Sequence, residues 1–285
     1  MEQQRVKRKR LQRVSYAKVN LYLEILRKRK DGFHDIRTVF SEISLSDEII
    51  FTLTKNQEIK IWSFPEIVNG ENNIIYKVAV FIKDKYRVNQ GVEITLKKSI
   101  PHQAGLGGGS SNAATTIKAL DKLWSLNLSE REMNLIAQKF GSDINFFLKG
   151  GTAIGYGRGE KITESKDIII ENMLIVKPDF GISTKEAYGL ISEYKVDNKR
   201  WNNFLETGDI KYSYNAFEKP LLKKYPKLRK IFDIIKNENS KPLLSGSGSC
   251  VIAFCKDKKS AESLKEKFAN KSYWTYITKT MRRRK

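Results

Sequence analysis

Pro101-His102-Gln103-Ala104-Gly105-Leu106-Gly107-Gly108-Gly109-Ser110-Ser111-Asn112-Ala113-Ala114 is the stretch on which the reading of this 285-residue chain turns. It follows an alternating strand pattern, Gly91-Val92-Glu93-Ile94-Thr95-Leu96, which Pro101 closes off. It runs directly into apolar residues at three- and four-residue steps, Ala113, Ile117, Leu120 and Trp124, the spacing of a helix face. Glycines between a strand and a helix let the backbone take positive φ and come close to a ligand. The helix start adds unpaired N–H groups and the positive end of the macrodipole. The segment therefore reads as a cradle for phosphate. No Gly-Lys-[Ser/Thr] follows, which excludes a Walker loop, and Ser110 stands where the dinucleotide fingerprint needs its last glycine.

Upstream, Val19 to Ile25 alternates like a strand, Lys30-Asp31-Gly32 is a turn signal, and Asp35 to Leu53 reads as more strand with a turn at Ser46-Asp47. Ile75, Val78, Ala79 and Ile82 predict a helix over 74–82. Downstream, Ser129 and Glu132 make a capping box for a helix that Gly141 ends. Gly150 to Gly159 predicts a hairpin, Asp167 to Val176 and Cys250 to Phe254 predict strands, and 256–270 predicts an amphipathic helix. Ser245-Gly246-Ser247-Gly248-Ser249 is a loop of small residues, equally readable as a structural turn or a ligand-facing loop. Asp179-Phe180-Gly181 spells a protein-kinase triplet, but its companion signatures are absent, so it reads as coincidence. The pattern is α+β in two halves with a soft boundary near 160–170.

Fifty-three Lys and Arg against 32 Asp and Glu leave a net charge of +21, which favours anionic partners. Residues 1–14 and the tail 278–285 hold much of it and read as solvated basic extensions; an arm for nucleic acid is the less favoured reading. Apolar runs are too short for a membrane span, and no apolar stretch follows the basic start as in a secretory signal. Cys250 and Cys255 fall on opposite faces of their strand, which argues against a disulfide between them. The expectation is a protein of the reducing cytoplasm with no membrane partner.

Three segments together resemble the GHMP kinase superfamily: Ala17-Lys18-Val19-Asn20-Leu21, Pro101 to Ala114, and Leu244 to Ser249. Within it, the triple glycine before Ser110-Ser111 is similar to the kinases of 4-diphosphocytidyl-2-C-methyl-D-erythritol. So are Gly32-Phe33-His34, Gly141-Ser142-Asp143, Ile182-Ser183-Thr184 with Ala187-Tyr188, and Asn215-Ala216-Phe217-Glu218. The resemblance departs at Asn145, where Pro is expected, at Asn112, where Asp is common, and at Phe33, where Tyr is common.

The resemblance implies an α+β, two-domain fold: a ribosomal-S5-like ATP-binding domain over 15–165 and a ferredoxin-like domain over 166–277. It implies ATP-dependent phosphorylation of the 2-hydroxyl of the cytidylated methylerythritol, in isoprenoid precursor synthesis, with Mg2+ travelling with ATP. Asp143 and Lys18 are the candidate catalytic pair. Pro101, Gly105, Leu106, Gly107, Gly108, Gly109, Ser110 and Ser111, with Asn73 and Lys98, are the candidate ATP-binding residues. Asn20, Phe33, His34, Tyr188, Gly246 and Ser247 are the candidates for the substrate, Phe33 and Tyr188 sandwiching the base and His34 hydrogen-bonding it. The alternatives are another GHMP kinase, acting on homoserine, mevalonate or a sugar, and a basic nucleic-acid-binding module.

Overall fold

The computed structural model describes residues 9–66, 70–269 and 271–284. It divides into two compact units, which interleave along the chain. The first comprises the residues up to Tyr16, Ser46–Ile100 and Gly108–Leu148; the second comprises Ala17–Leu45, Pro101–Gly107 and the residues from Lys149 onward. Two long strands, β1 (Arg10–Lys28) and β2 (His34–Thr54), each run through both.

In the first unit, β3 (Ile59–Phe64), α1 (Ile74–Lys85) and β4 (Gly91–Lys97) precede α2 (Gly108–Trp124), α3 (Glu130–Phe140) and α4 (Ile144–Lys149). β4 lies antiparallel to the end of β2, Glu48 opposite Lys97 and Thr54 opposite Gly91, and parallel to β3. α1 starts where the Asn73 side chain accepts the N–H of Ile75 at 2.9 Å, and it buries Ile75, Val78, Ala79 and Ile82 as predicted. α2 packs on α1 and α3, with Ile117 and Leu120 fully buried. Each such side chain contributes about 1.5–3 kcal/mol by leaving water. The capping box of α3 forms, with Ser129 and Glu132 bonded reciprocally.

The second unit holds β5 (Thr152–Gly157), β6 (Lys161–Glu164), β7 (Met173–Lys177), α5 (Thr184–Gly189), α6 (Asn198–Thr207) and β8 (Tyr214–Asn215). It continues with α7 (Glu218–Lys224), α8 (Pro226–Asn237), β9 (Lys241–Leu244), β10 (Val251–Phe254), α9 (Lys258–Ala269) and β11 (Trp274–Thr278). β5 and β6 form the expected hairpin, with β5 antiparallel to residues 36–41 of β2, and β8 runs parallel to β1. A four-stranded antiparallel sheet, β11-β7-β10-β9, packs with α7, α8 and α9 around Leu174, Val176, Leu221, Ile231, Val251 and Phe268. This is the sheet expected of a ferredoxin-like half.

Three expectations change. Ser46-Asp47 is not a turn: β2 runs straight through it, because the buried Asp47 carboxylate is bound by groups from other elements. The strand expected from Asp167 starts only at Met173, because the N–H groups of Ile168 and Ile170 go to the hydroxyls of Thr152 and Thr280. Where they are described, the basic ends are not free. Arg10–Val14 belongs to β1, while residues 1–8 lie outside the described residues. In the tail, Met281 N–H donates to Glu42 O, Arg283 N–H donates to Asp167, and the Arg283 guanidinium donates to Thr152 O and to Glu164. Arginine reaches such mixed acceptors because its planar fork offers five donors.

Candidate active site

The glycine loop begins in the second unit and ends as the first turn of α2 in the first. Its first part is held from both sides. The N–H of Lys18 on β1 donates to Leu106 O at 3.0 Å, and Ser245 Oγ donates to Gly105 O at 3.1 Å. Gly105 has φ +74°, and a Cβ there would lie 2.0 Å from Ser245 O, so no other residue fits. Gly246, at φ +54°, faces the other side less tightly: a Cβ there would lie 3.3 Å from both Lys18 Nζ and Asn20 Oδ1. Asn215 ties this loop down by donating to Leu244 O and Gly246 O, each at 2.8 Å. Pro101 opens the segment and is half-buried. The first motif, the first part of the glycine loop and the third motif thus meet inside one unit.

Lys18 is buried, and its ammonium donates to Asn20 Oδ1 at 2.7 Å. Asn20 Nδ2 donates to Thr38 Oγ1, which donates to Tyr22 O, each at 2.7 Å. This chain orients Asn20 with its oxygen toward Lys18. Thr38 escaped notice in the sequence because nothing near it signals a site.

In the first unit, the start of α2 rests on Asp47. Its carboxylate accepts from Ser99 N–H and Ile100 N–H at 2.8 Å, from Lys98 Nζ at 2.7 Å and from Asn112 Nδ2 at 2.9 Å. Lys98 also donates to Ile100 O, and a Cβ on Gly108 would lie 2.9 Å from its ammonium. Burial pushes the Lys98 ammonium below its usual range, and Asp47 opposes that shift. Lys98 is thus tied to Asp47 beneath the first turn of α2. Asn112 fits this place because a second carboxylate beside Asp47 would be repelled.

The two serines part company. Ser111 is buried and shares a 2.7 Å hydrogen bond with Ser15, whereas Ser110 stays half-buried. A Cβ on Gly141 would lie 3.9 Å from Ser110 Oγ, so the Gly141-Ser142-Asp143 turn lies beside the loop's end. Asp143 precedes α4 and is half-buried. Gly107 has φ +67°, and Gly109 already lies in the first turn of α2. Asn73 spends its side-chain oxygen on the cap of α1.

The aromatic candidates lie in the second unit. His34 stacks on Tyr188, with centroids 4.7 Å apart at 17°, and Tyr188 meets the Phe217 edge. Burial, and then the charge of Lys28, push the His34 imidazole below its usual range, so it is neutral near pH 7 and can donate and accept. Phe33 is not stacked on Tyr188; the Arg158 guanidinium lies over its ring. Ser247 shares a 3.3 Å hydrogen bond with Thr184 at the start of α5. Among the described residues no cluster of His, Cys, Asp or Glu could hold a metal ion. A cation here would draw its ligands from phosphates and one or two protein oxygens, and the half-buried Ser110 hydroxyl suits that.

Family models match residues 73–151, described as the GHMP kinases N terminal domain, and residues 196–273, described as the GHMP kinases C terminal. The chain is 39% identical over 280 residues to a 4-diphosphocytidyl-2-C-methyl-D-erythritol kinase of Thermodesulfovibrio yellowstonii, covering 94% of this chain and 96% of that one. It is 38% identical over 272 residues to the enzyme of that name from Francisella tularensis subsp. novicida, covering 94% and 95%. A crystal structure of 4-(cytidine 5'-diphospho)-2C-methyl-D-erythritol kinase superposes with a TM-score of 0.84 at 25% identity, over 95% of this chain and 99% of that one. Mevalonate kinase of L. major, at 15% identity and a TM-score of 0.71, shares the fold, over 99% of each chain.

Proposed function

The chain belongs to the GHMP kinases, among the 4-diphosphocytidyl-2-C-methyl-D-erythritol kinases, and from that membership we propose how its residues divide the work of phosphoryl transfer. It is an ATP-dependent small-molecule kinase. Its acceptor is the 2-hydroxyl of 4-diphosphocytidyl-2-C-methyl-D-erythritol, and it works in the cytoplasm. Domain 15–165 binds ATP, and domain 166–277 completes the enzyme.

Phosphoryl transfer needs positioning and charge stabilisation more than covalent help from the protein. Backbone N–H groups of Gly105 to Ser111 hold the triphosphate at the start of α2. Asp47 and Lys98 fix that turn from below. Lys18, held by Asn20, supplies positive charge to the transferring phosphoryl group. Asp143 accepts the proton of the attacking hydroxyl; a carboxylate is a weak base for an alcohol, so the proton moves late. Ser110 and Asp143 are the protein oxygens that would help hold a Mg2+ brought in with ATP, and the ion would neutralise phosphate charge. His34 reads the edge of the cytosine, and Phe33 and Tyr188 offer aromatic faces.

The observation that carries this reading is the meeting of Lys18-Asn20, Gly105 and Gly246 within one unit. The test is a coupled ADP-release assay with 4-diphosphocytidyl-2-C-methyl-D-erythritol, its uridine analogue, homoserine and mevalonate. The cytidylated substrate should turn over well, and the uridine analogue should be poorer because buried partners of the base would go unpaired. Preferred use of homoserine or mevalonate would overturn the assignment.

A further inference from the structure

We propose that Arg158 is a positioning residue for the cytosine: it covers one face of the Phe33 ring and keeps the other presented to the base. The proposal rests on the reading of Phe33 as a stacking surface for the substrate. Phe33 is 53% exposed, so its ring lacks the packing that ordinarily fixes a phenylalanine. Its backbone is nevertheless tightly held. Phe33 O accepts the N–H of Arg29 at 2.8 Å, and its own N–H donates to Asp31 Oδ1 at 3.1 Å. Asp31 is gripped in turn by the Arg29 guanidinium, at 2.9 Å from Nη2 and 3.1 Å from Nε.

The ring is left to Arg158. Its Cζ lies 4.6 Å from the Phe33 centroid, inside the range of a cation–π contact. Arg158 comes from the turn between β5 and β6, where its N–H donates to Glu160 Oε2 at 2.6 Å and Gly159 N–H closes the turn on Tyr156 O. Charge also favours its place, because the Arg158 guanidinium is attracted to Asp31. A rigid turn thus delivers a flat cation onto one face of an exposed ring. Immobilising a free side chain at binding weakens affinity, and Arg158 removes that cost in advance.

The test uses the full-length enzyme and 4-diphosphocytidyl-2-C-methyl-D-erythritol as probe. KM for this substrate, KM for ATP and kcat are measured for wild type, Arg158→Ala, Arg158→Lys, Phe33→Ala and the double Phe33→Ala/Arg158→Ala, each checked for an unchanged melting temperature. Arg158→Ala should raise KM for the cytidylated substrate about two- to tenfold while kcat and KM for ATP stay within about twofold. Arg158→Lys should recover part of the loss. In the Phe33→Ala background the Arg158 change should add nothing. If Phe33→Ala raises KM and Arg158→Ala does not, the proposal fails while the stacking role of Phe33 stands. An Arg158→Ala effect that persists undiminished without Phe33 also overturns it, since the guanidinium would then act on the substrate directly. An unchanged KM in Phe33→Ala removes the stacking surface, and the role of Arg158 with it.

Discussion

At Gly105 a single methyl group would arrive 2.0 Å from the Ser245 carbonyl oxygen, on a backbone already at φ +74°. Both the clash and the dihedral oppose any side chain there. Gly105→Ala should therefore cost more than about 2 kcal/mol of stability in urea unfolding and raise KM for ATP. Retained stability would mean that the two loops separate easily. Asp143 makes a different demand, because the role proposed for it is chemical. Asp143→Asn keeps the shape of the turn and removes the proton acceptor, so kcat should fall about 10²- to 10⁴-fold with ATP affinity nearly kept. A variant retaining more than half of the wild-type kcat would exclude Asp143 as the base.

Between elements, Asp47 and the C-terminal segment do the joining. Asp47→Ala would leave the Lys98 ammonium buried without its counter-charge, at a cost of about 3–5 kcal/mol by urea unfolding. Lys98→Met in the same chain should recover part of that loss by removing the stranded charge. The tail makes the second joint. Deleting 282–285 removes four hydrogen bonds of Arg283 to Asp167, Gly150, Thr152 and Glu164, and should lower the melting temperature by several degrees, about 1–3 kcal/mol. An unchanged melting temperature would restore the tail to a free extension. Neither joint was legible in the sequence, whereas the capping box of α3 and the buried face of α1 were. A cap lies within four residues of its partner, but Asp47 finds its partners 51 to 65 residues away, and Arg283 finds Asp167 at 116. A carboxylate inside a strand pattern and a run of arginines both look solvated until their distant partners are placed. The same distance hid the pairing of His34 with Tyr188 and of Phe33 with Arg158; their residue types pointed to an aromatic site, and their partners did not.

Across the whole molecule, stability carries a pH signature from one buried carboxyl. Burial pushes Glu218 up to about 7, against the pull of the Leu244 N–H that it accepts. Its usual value is 4.5, so between that pH and about 7 the folded chain holds a proton the unfolded chain has released. Folding stability is then greatest below about pH 4.5 for this group and falls as pH rises toward 7, by about 3 kcal/mol in total. Glu218→Gln keeps an acceptor for Leu244 and removes the titration. Its stability relative to wild type should rise between pH 5 and pH 8, measured by urea unfolding at both; a constant difference would show that Glu218 titrates normally. The order of the α+β elements and the glycine loop at the head of α2 were readable because glycine, proline and helix periodicity act locally. The interleaving of the units was not, because it depends on how far β1 and β2 extend.

The contact between Gly105 and Ser245 also has a meaning in time. A ribosome completes the glycine loop long before it reaches Ser245, which lies 140 residues later. Until then Gly105 has neither the hydroxyl that donates to its carbonyl nor the backbone that stacks against it. A nascent chain stalled short of Ser245 would carry every residue of the glycine loop and still lack its final form. Synthesis thus leaves Gly105 without the partner that fixes its carbonyl until Ser245 has emerged, so the glycine loop takes its final form late.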